Sequence, residues 1–353
     1  MMPDEVAWRR LADAGIVSGT PPDMPMRSPW YVRALLGIGG WLAAGFVIAF
    51  LFAVLSELLR QPAMAIVVGL LLVGAATLVL RAAPGNTFVA QVALATSFAG
   101  QAVAFAGIIE AVDGRATSAL AVAGLEAALA FIVPHPVHRV FSAAAAGVAL
   151  AMALTLSGAY AIAIGLLAAA TGVVWMTELR WARWGSIVRP IAYGVTLGLV
   201  FIQATWFAPL AASDVIFSTS PQWVPRRAGG VLTAAVLPAI VIALLRRWHR
   251  PLDGRDGLAA IGAALAVAAA SLDAPGIPAA LMLVLVAWAN GNRVLLALGV
   301  LALLGYTSAY YYMLDTALLV KSVAMLGTGI ALLAARVALS RWFLPDTEAA
   351  HVS

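Results

Sequence analysis

The sequence predicts an all-α, polytopic transmembrane helical bundle, and three observations carry that prediction. Apolar residues arrive in runs of about 17–25, the length at which a helix crosses a ~30 Å hydrocarbon core. Hydrophobic residues make up 63% of the chain and charged residues only 10%, with a mean hydropathy of +0.98. A soluble domain carries roughly 25% charge, so lipid has to be the solvent of most of these side chains. The basic residues, finally, gather in alternate loops, as the positive-inside rule requires of a multi-pass protein.

The apolar runs place spans near 31–55, 63–80, 87–109, 116–133, 140–156, 159–176, 190–212, 228–245, 258–272, 277–290, 294–312 and 315–339. Helix breakers separate them, among them Pro84-Gly85-Asn86, Asp113-Gly114-Arg115, Pro134-His135-Pro136 and Ser157-Gly158. The runs are rich in Ala, Leu, Val and Gly and show no alternation of period two, which argues for helices against a transmembrane β-barrel. The stretches 258–272 and 277–290 are short. They form either two spans or a re-entrant hairpin buried in protein, and both options return the chain to the same side. The count is ten to twelve spans.

With the N-terminus inside, sixteen arginines fall on the cytoplasmic side and four, Arg60, Arg115, Arg226 and Arg227, on the other. That bias sets an N-in, C-in topology. Trp30, Trp175, Trp181, Trp184, Trp223, Trp248 and Trp342 lie near span ends, where an indole is half wet. Three regions follow: residues 1–29 as a cytoplasmic amphipathic helix and Pro-rich linker, 30–341 as the bundle, and 342–353 as a cytoplasmic tail. Residues 4–14 form the amphipathic helix, with Trp8, Leu11 and Ala12 on one face and Gly15 as its stop. It either lies on the inner leaflet or docks a partner. Met1 to Pro29 has seven charges and no apolar core, so the first apolar run is expected to be an uncleaved anchor.

Composition also excludes function classes. Cysteine is absent, which removes disulfides, a thiolate nucleophile and cysteine-ligated metal. The net charge of +5 is accounted for by the loop arginines, and no nucleic-acid module accompanies it. The expected partner is therefore the lipid bilayer and not nucleic acid. There is no Gly-x-Ser-x-Gly, His-Glu-x-x-His, P-loop or Rossmann fingerprint. The chain is read as non-enzymatic, with no cofactor.

Charged residues at membrane depth supply the site candidates. Lys321 is the only lysine and sits inside the last span. A charge at mid-helix costs about 2.5–3.5 kcal/mol on insertion scales. Its long stem reaches the outer interface beside Asp315, about 9 Å away along the helix, if it snorkels. Glu126 lies about 16 Å below Arg115 in the fourth span. Lys321 reaches a similar depth, so the two are candidates to pair or to share a water-filled cavity; the plainer reading of Glu126 is a side chain bonded to neighbouring hydroxyls or amides. Tyr306, Tyr310, Tyr311 and Tyr312 crowd the outer end of the eleventh span. They form an aromatic belt, or a partner- or ligand-binding rim beside Asp315. Gln91, Gln101, Gln203, Thr205 and Asn290 are expected to make interhelical hydrogen bonds. His135 and His138 fall in a Pro-His-Pro-Val-His turn, too few ligands for a metal; Glu110 and Asp113 are expected to be solvated. The candidate intramembrane site is thus Glu126, Lys321, Asp315, Tyr310 and Tyr311.

Two stretches resemble a known family. One is Trp8-Arg-Arg-Leu11-Ala-Asp-Ala-Gly15-Ile16-Val17 with the later Gly37-Ile-Gly39-Gly40-Trp41-Leu42. The other runs from Tyr310-Tyr311-Tyr312 through Leu314-Asp315-Thr316 to Lys321-Ser322, Gly327 and Gly329. Together they resemble the bacterial membrane family catalogued as domain of unknown function 4401, related to domain of unknown function 2157. The resemblance implies a multi-pass protein of a bacterial inner (cytoplasmic) membrane. It also implies a small membrane-anchored partner protein with a Gly-Asp-Tyr-x-x-Leu-x-Tyr motif, and it gives no reaction. The main expectation is a non-enzymatic protein acting with that partner; the alternative is a secondary transporter with a polar site around Glu126 and Lys321.

Overall fold

Eleven of the twelve apolar runs are helices in the computed structural model, which describes residues 3–19, 30–83, 86–205, 226–272, 274 and 276–313. The twelfth run, 315–339, lies outside the described residues, as do Asp315 and Lys321. The amphipathic segment is α1 (Pro3–Asp13). The apolar helices are α2 (Trp30–Leu59), α3 (Pro62–Ala82), α4 (Thr87–Ala111), α5 (Arg115–Ile132), α6 (Pro136–Leu156), α7 (Tyr160–Met176), α8 (Gly185–Thr205), α9 (Arg226–Arg247), α10 (Arg255–Ala270), α11 (Gly276–Ala289) and α12 (Arg293–Met313). A short 3-10 helix, Glu178–Trp184, which the sequence pattern does not announce, joins α7 to α8.

Among the described residues eight helices have the length and apolarity to cross a membrane, and the chain is a multi-pass membrane protein. Turn chemistry ends the helices where the sequence breakers stand. At Gly158 (φ +80°) and Gly291 (φ +63°) the chain turns left-handed, and the next N–H reaches back to the helix, Ala159 to Leu154 O at 2.7 Å and Asn292 to Ala287 O at 2.9 Å. His249 (φ +53°) does the same work without glycine.

Residues 1–60 and 67–103 form one compact unit. Within it a Cβ on Gly40 would meet Gln91 and the Phe88 carbonyl, and Trp41 Nε1 donates to Gln91 Oε1 at 2.9 Å. The Gly39-Gly40-Trp41 run therefore serves close packing of α2 on α4. Much of α2 is nonetheless exposed, including Trp41, Phe46 and Phe50.

Residues 61–66 and 104–353 form the second unit. In it α6 packs between α5 and α8. Gly194 and Gly198 make this possible: a Cβ at Gly194 would run into the Val140 carbonyl and Ala143, and one at Gly198 into the Ala144 carbonyl. This is the small-residue spacing that lets membrane helices approach. α9 packs on α7, α10 and α11, and α11 packs on α12. The shared core includes Ile164, Trp175, Leu199, Met282, Leu283 and Val286.

The short helices α10 and α11 run antiparallel along the helices they pack on. α10 starts against the Pro251-Leu252 turn beyond α9, where Gly257 sits. It finishes with Leu272 against Gly230, near the other end of α9. α11 returns from Gly276, beside Tyr306, to Asn290, which bonds Arg247 and the Trp175 carbonyl.

Candidate functional site

Glu126 belongs to a buried stripe on α5, Ser118, Val122, Glu126 and Leu129, spaced so that all four share one face. The facing helix α6 supplies Ser142 and His138 one turn apart. All three side chains are 0% exposed. Ser142 Oγ and His138 Nδ1 are 3.2 Å apart, and the Ser142 hydroxyl stands beside the Glu126 carboxyl. Neither carboxyl oxygen reaches hydrogen-bonding geometry with a described residue. A carboxyl buried this way is costly, and among the described residues no cation is paired with it.

The sequence pattern predicts a span from residue 140 with His138 in the preceding turn. In the structure α6 starts at Pro136, because proline is well suited to the first helical position. His138 therefore lies in the first turn of the helix and points inward, fully buried. His135 precedes the helix, half-buried, with Nδ1 unpartnered among the described residues. Burial, and then the neighbouring Arg139 charge, hold its pKa below the usual histidine range. Arg139 itself donates from Nη1 to the Ser186 carbonyl at 3.0 Å and ties α6 to the start of α8.

The order of groups decides what chemistry is open. Here the hydroxyl lies between carboxyl and imidazole. A Ser-His-acid triad needs the imidazole in the middle, to take the nucleophile's proton while the acid orients it. No group of three or more His, Asp or Glu that could hold a metal occurs among the described residues. What the arrangement offers is a short chain of proton-exchanging groups, of the kind that marks proton relays in membrane proteins.

The other sequence candidates separate. Lys321 and Asp315 fall outside the described residues. Tyr310 packs in a cluster with Tyr306, Ala280 and Val200, on α12, α11 and α8, away from the α5–α6 face that holds Glu126. Tyr306 is buried, and its hydroxyl donates to the Val200 carbonyl at 2.8 Å. Tyr311 and Tyr312 meet edge to face at 5.6 Å, and Tyr312 is exposed. Glu110 and Asp113 are exposed. Ser142 is the residue that sequence reasoning missed, and His138, placed there in a turn, is the one it misplaced. Their signal was a His-x-x-x-Ser pair opening an apolar helix, on a face whose neighbour carries the only acidic residue at mid-span among the described residues.

A second polar cluster lies at the end of the unit where α7 and α11 finish. Trp175 Nε1 donates to Thr196 Oγ1 at 2.8 Å, Tyr193 Oη to Asn292 Oδ1 at 2.9 Å, and Arg247 Nη1 to Asn290 Oδ1 at 2.9 Å. Asn290 Nδ2 closes the set on the Trp175 carbonyl at 2.8 Å. Asn290 thus makes the interhelical bonds expected of it.

A family model described as "Domain of unknown function (DUF4401)" matches residues 29–342. The chain belongs to this family. The DUF4401 segment takes in every helix from α2 onward, so Glu126, Ser142 and His138 all lie within it, while α1 precedes it. No curated protein and no solved structure matches the chain.

Proposed function

We propose that this DUF4401 protein is a non-enzymatic secondary transporter of a bacterial inner membrane, with Glu126 as its proton-exchanging group. One observation carries the reading: a carboxyl wholly buried within a span, with the Ser142 hydroxyl beside it and the His138 imidazole on the far side of that hydroxyl, and with no cation paired to it among the described residues. Intramembrane carboxyls of this kind mark ion and proton pathways. The end of the second unit that carries His135 also carries Arg139, Arg180, Arg247, Arg250 and Arg293. By the positive-inside rule this end faces the cytoplasm.

The test uses proteoliposomes holding a trapped pH dye, with a potassium diffusion potential imposed. Mixed amino acids, sugars and organic acids are supplied outside. Wild-type protein is expected to acidify the lumen at least about tenfold faster than a Glu126→Gln variant. Equal rates in the two would overturn the reading.

The exposed face of α2 favours a second reading. Trp41, Phe46 and Phe50 leave it room to take another apolar helix, and a small membrane-anchored protein would fit there. Purification in mild detergent tests this: retention of such a protein by wild type, and its loss on Phe46→Ser, supports docking. A monodisperse chain that never retains one counts against it.

A further inference from the structure

We infer that Ser142 and His138 are the proton path between Glu126 and the His135 end of the bundle. The inference rests on the reading of Glu126 as a proton-exchanging group and adds the route and its direction.

Depth gives the direction. Glu126 stands six residues before the end of α5, and Ser142 six residues after the start of α6. Both are about 9 Å from the turn that joins these helices. His138 is one turn nearer, about 3 Å along α6 from its start, and His135 is in the turn itself. The groups therefore step outward from mid-span, carboxyl, hydroxyl, imidazole, imidazole. In the other direction the two helices line an open, mainly apolar cavity of about 470 Å³ with Phe105, Ile109, Val148 and Met152, and Arg115 also lines it. Its one hydroxyl, Ser118, is engaged with the Arg115 carbonyl at 3.0 Å. That lining offers no chain of exchanging side chains leading on from Glu126, whereas the hydroxyl and the imidazole lie toward the His135 end.

The step is a proton exchange without change in covalent framework. Ser142 passes its hydroxyl proton to His138 Nδ1 and takes the proton of the Glu126 carboxyl in its place. The products are a Glu126 carboxylate and a His138 imidazolium, and the imidazolium gives its Nε2 proton to the His135 turn. The charged and titratable groups around His138 are few. Glu126 comes from α5, Arg139 from its own helix and His135 from the turn. α8 presents its Ser186 carbonyl, and its Arg189 is held by Glu178 at 3.4 Å.

The experiment measures proton flux in sealed vesicles of known protein orientation. Monodispersity in gel filtration is the check on folding. Ser142→Ala is expected to slow flux at least about tenfold, and Ser142→Thr, which keeps the hydroxyl, to restore it. His138→Ala is expected to slow flux as much. Free imidazole added on the His135 side is expected to rescue it, and imidazole added on the other side is not. Wild-type rates in Ser142→Ala and His138→Ala, with Glu126→Gln inactive, would overturn the path and leave the role of Glu126 standing. Rescue from the opposite side alone, or from neither side, would overturn it too. Wild-type rates in Glu126→Gln would instead remove the underlying reading.

Discussion

Two polar clusters share the second unit, and they are built on opposite plans. Around Asn290 the donors and acceptors of α7, α8, α9, α11 and α12 answer one another, and among the described residues only the Asn292 amide nitrogen is left over. Around Glu126 the carboxyl meets no aligned donor, and it is more deeply buried than Asn290, Arg247 and Tyr193, which are half-buried. A cluster that saturates its hydrogen bonds holds helices together. One that leaves a carboxyl open keeps a costly group whose retention stability does not explain. The difference separates a structural tie from a site.

The comparison breaks first at Glu126. Glu126→Gln should cost at least about tenfold in proton flux. Glu126→Leu should leave the thermal midpoint in detergent unchanged or raised, because it removes an unanswered polar group. A clear drop in the Leu variant would make Glu126 a structural residue like Asn290. A packing control comes next. Gly194→Leu should destabilise by about 1–3 kcal/mol, since its side chain would occupy the space of Val140 and Ala143; denaturant titration of the purified chain measures it.

How much of this was legible beforehand depends on which force wrote the signal. The transmembrane helices follow from hydropathy over whole runs, and α3, α4 and α9 match their apolar stretches within a few residues. α6 was set to begin at 140, because Pro136 and His138 lower the local hydropathy. The proline at the first helical position carries the helix four residues further, and that shift moves His138 from a wet turn to a buried face. Glu126 was legible as a candidate because a charge at mid-span is rare. Its neighbours were not, because they depend on which helices touch: α6 packs on α5, and Gly194 and Gly198 bring α8 onto α6, with no polar motif to announce either contact. The proposed pairing with Lys321 falls on residues outside those described, while the tyrosines separate into the Tyr306 tie to α8 and an exposed Tyr312.

The remaining tests sharpen the contrast. Asn290→Leu removes the bonds to Arg247 and the Trp175 carbonyl and should cost about 1 kcal/mol, near the upper range for bonds between membrane helices. Proton flux per folded molecule should be unchanged. The smallest effect belongs to His135. Its folded pKa lies below its unfolded value, so the unfolded chain binds more protons and stability rises with pH. The contribution is full above about pH 6.5 and is lost as pH falls through the lower folded value. His135→Gln should flatten the fall of the thermal midpoint below that pH.

The most direct measurement is infrared difference spectroscopy of the reconstituted protein, stepping the pH on the His135 side. The account predicts a carboxylic acid C=O band that exchanges with a carboxylate signal on that step, is absent from Glu126→Gln, and responds more slowly in Ser142→Ala. A band that ignores the pH of the His135 side, or that persists unchanged in Glu126→Gln, would contradict it.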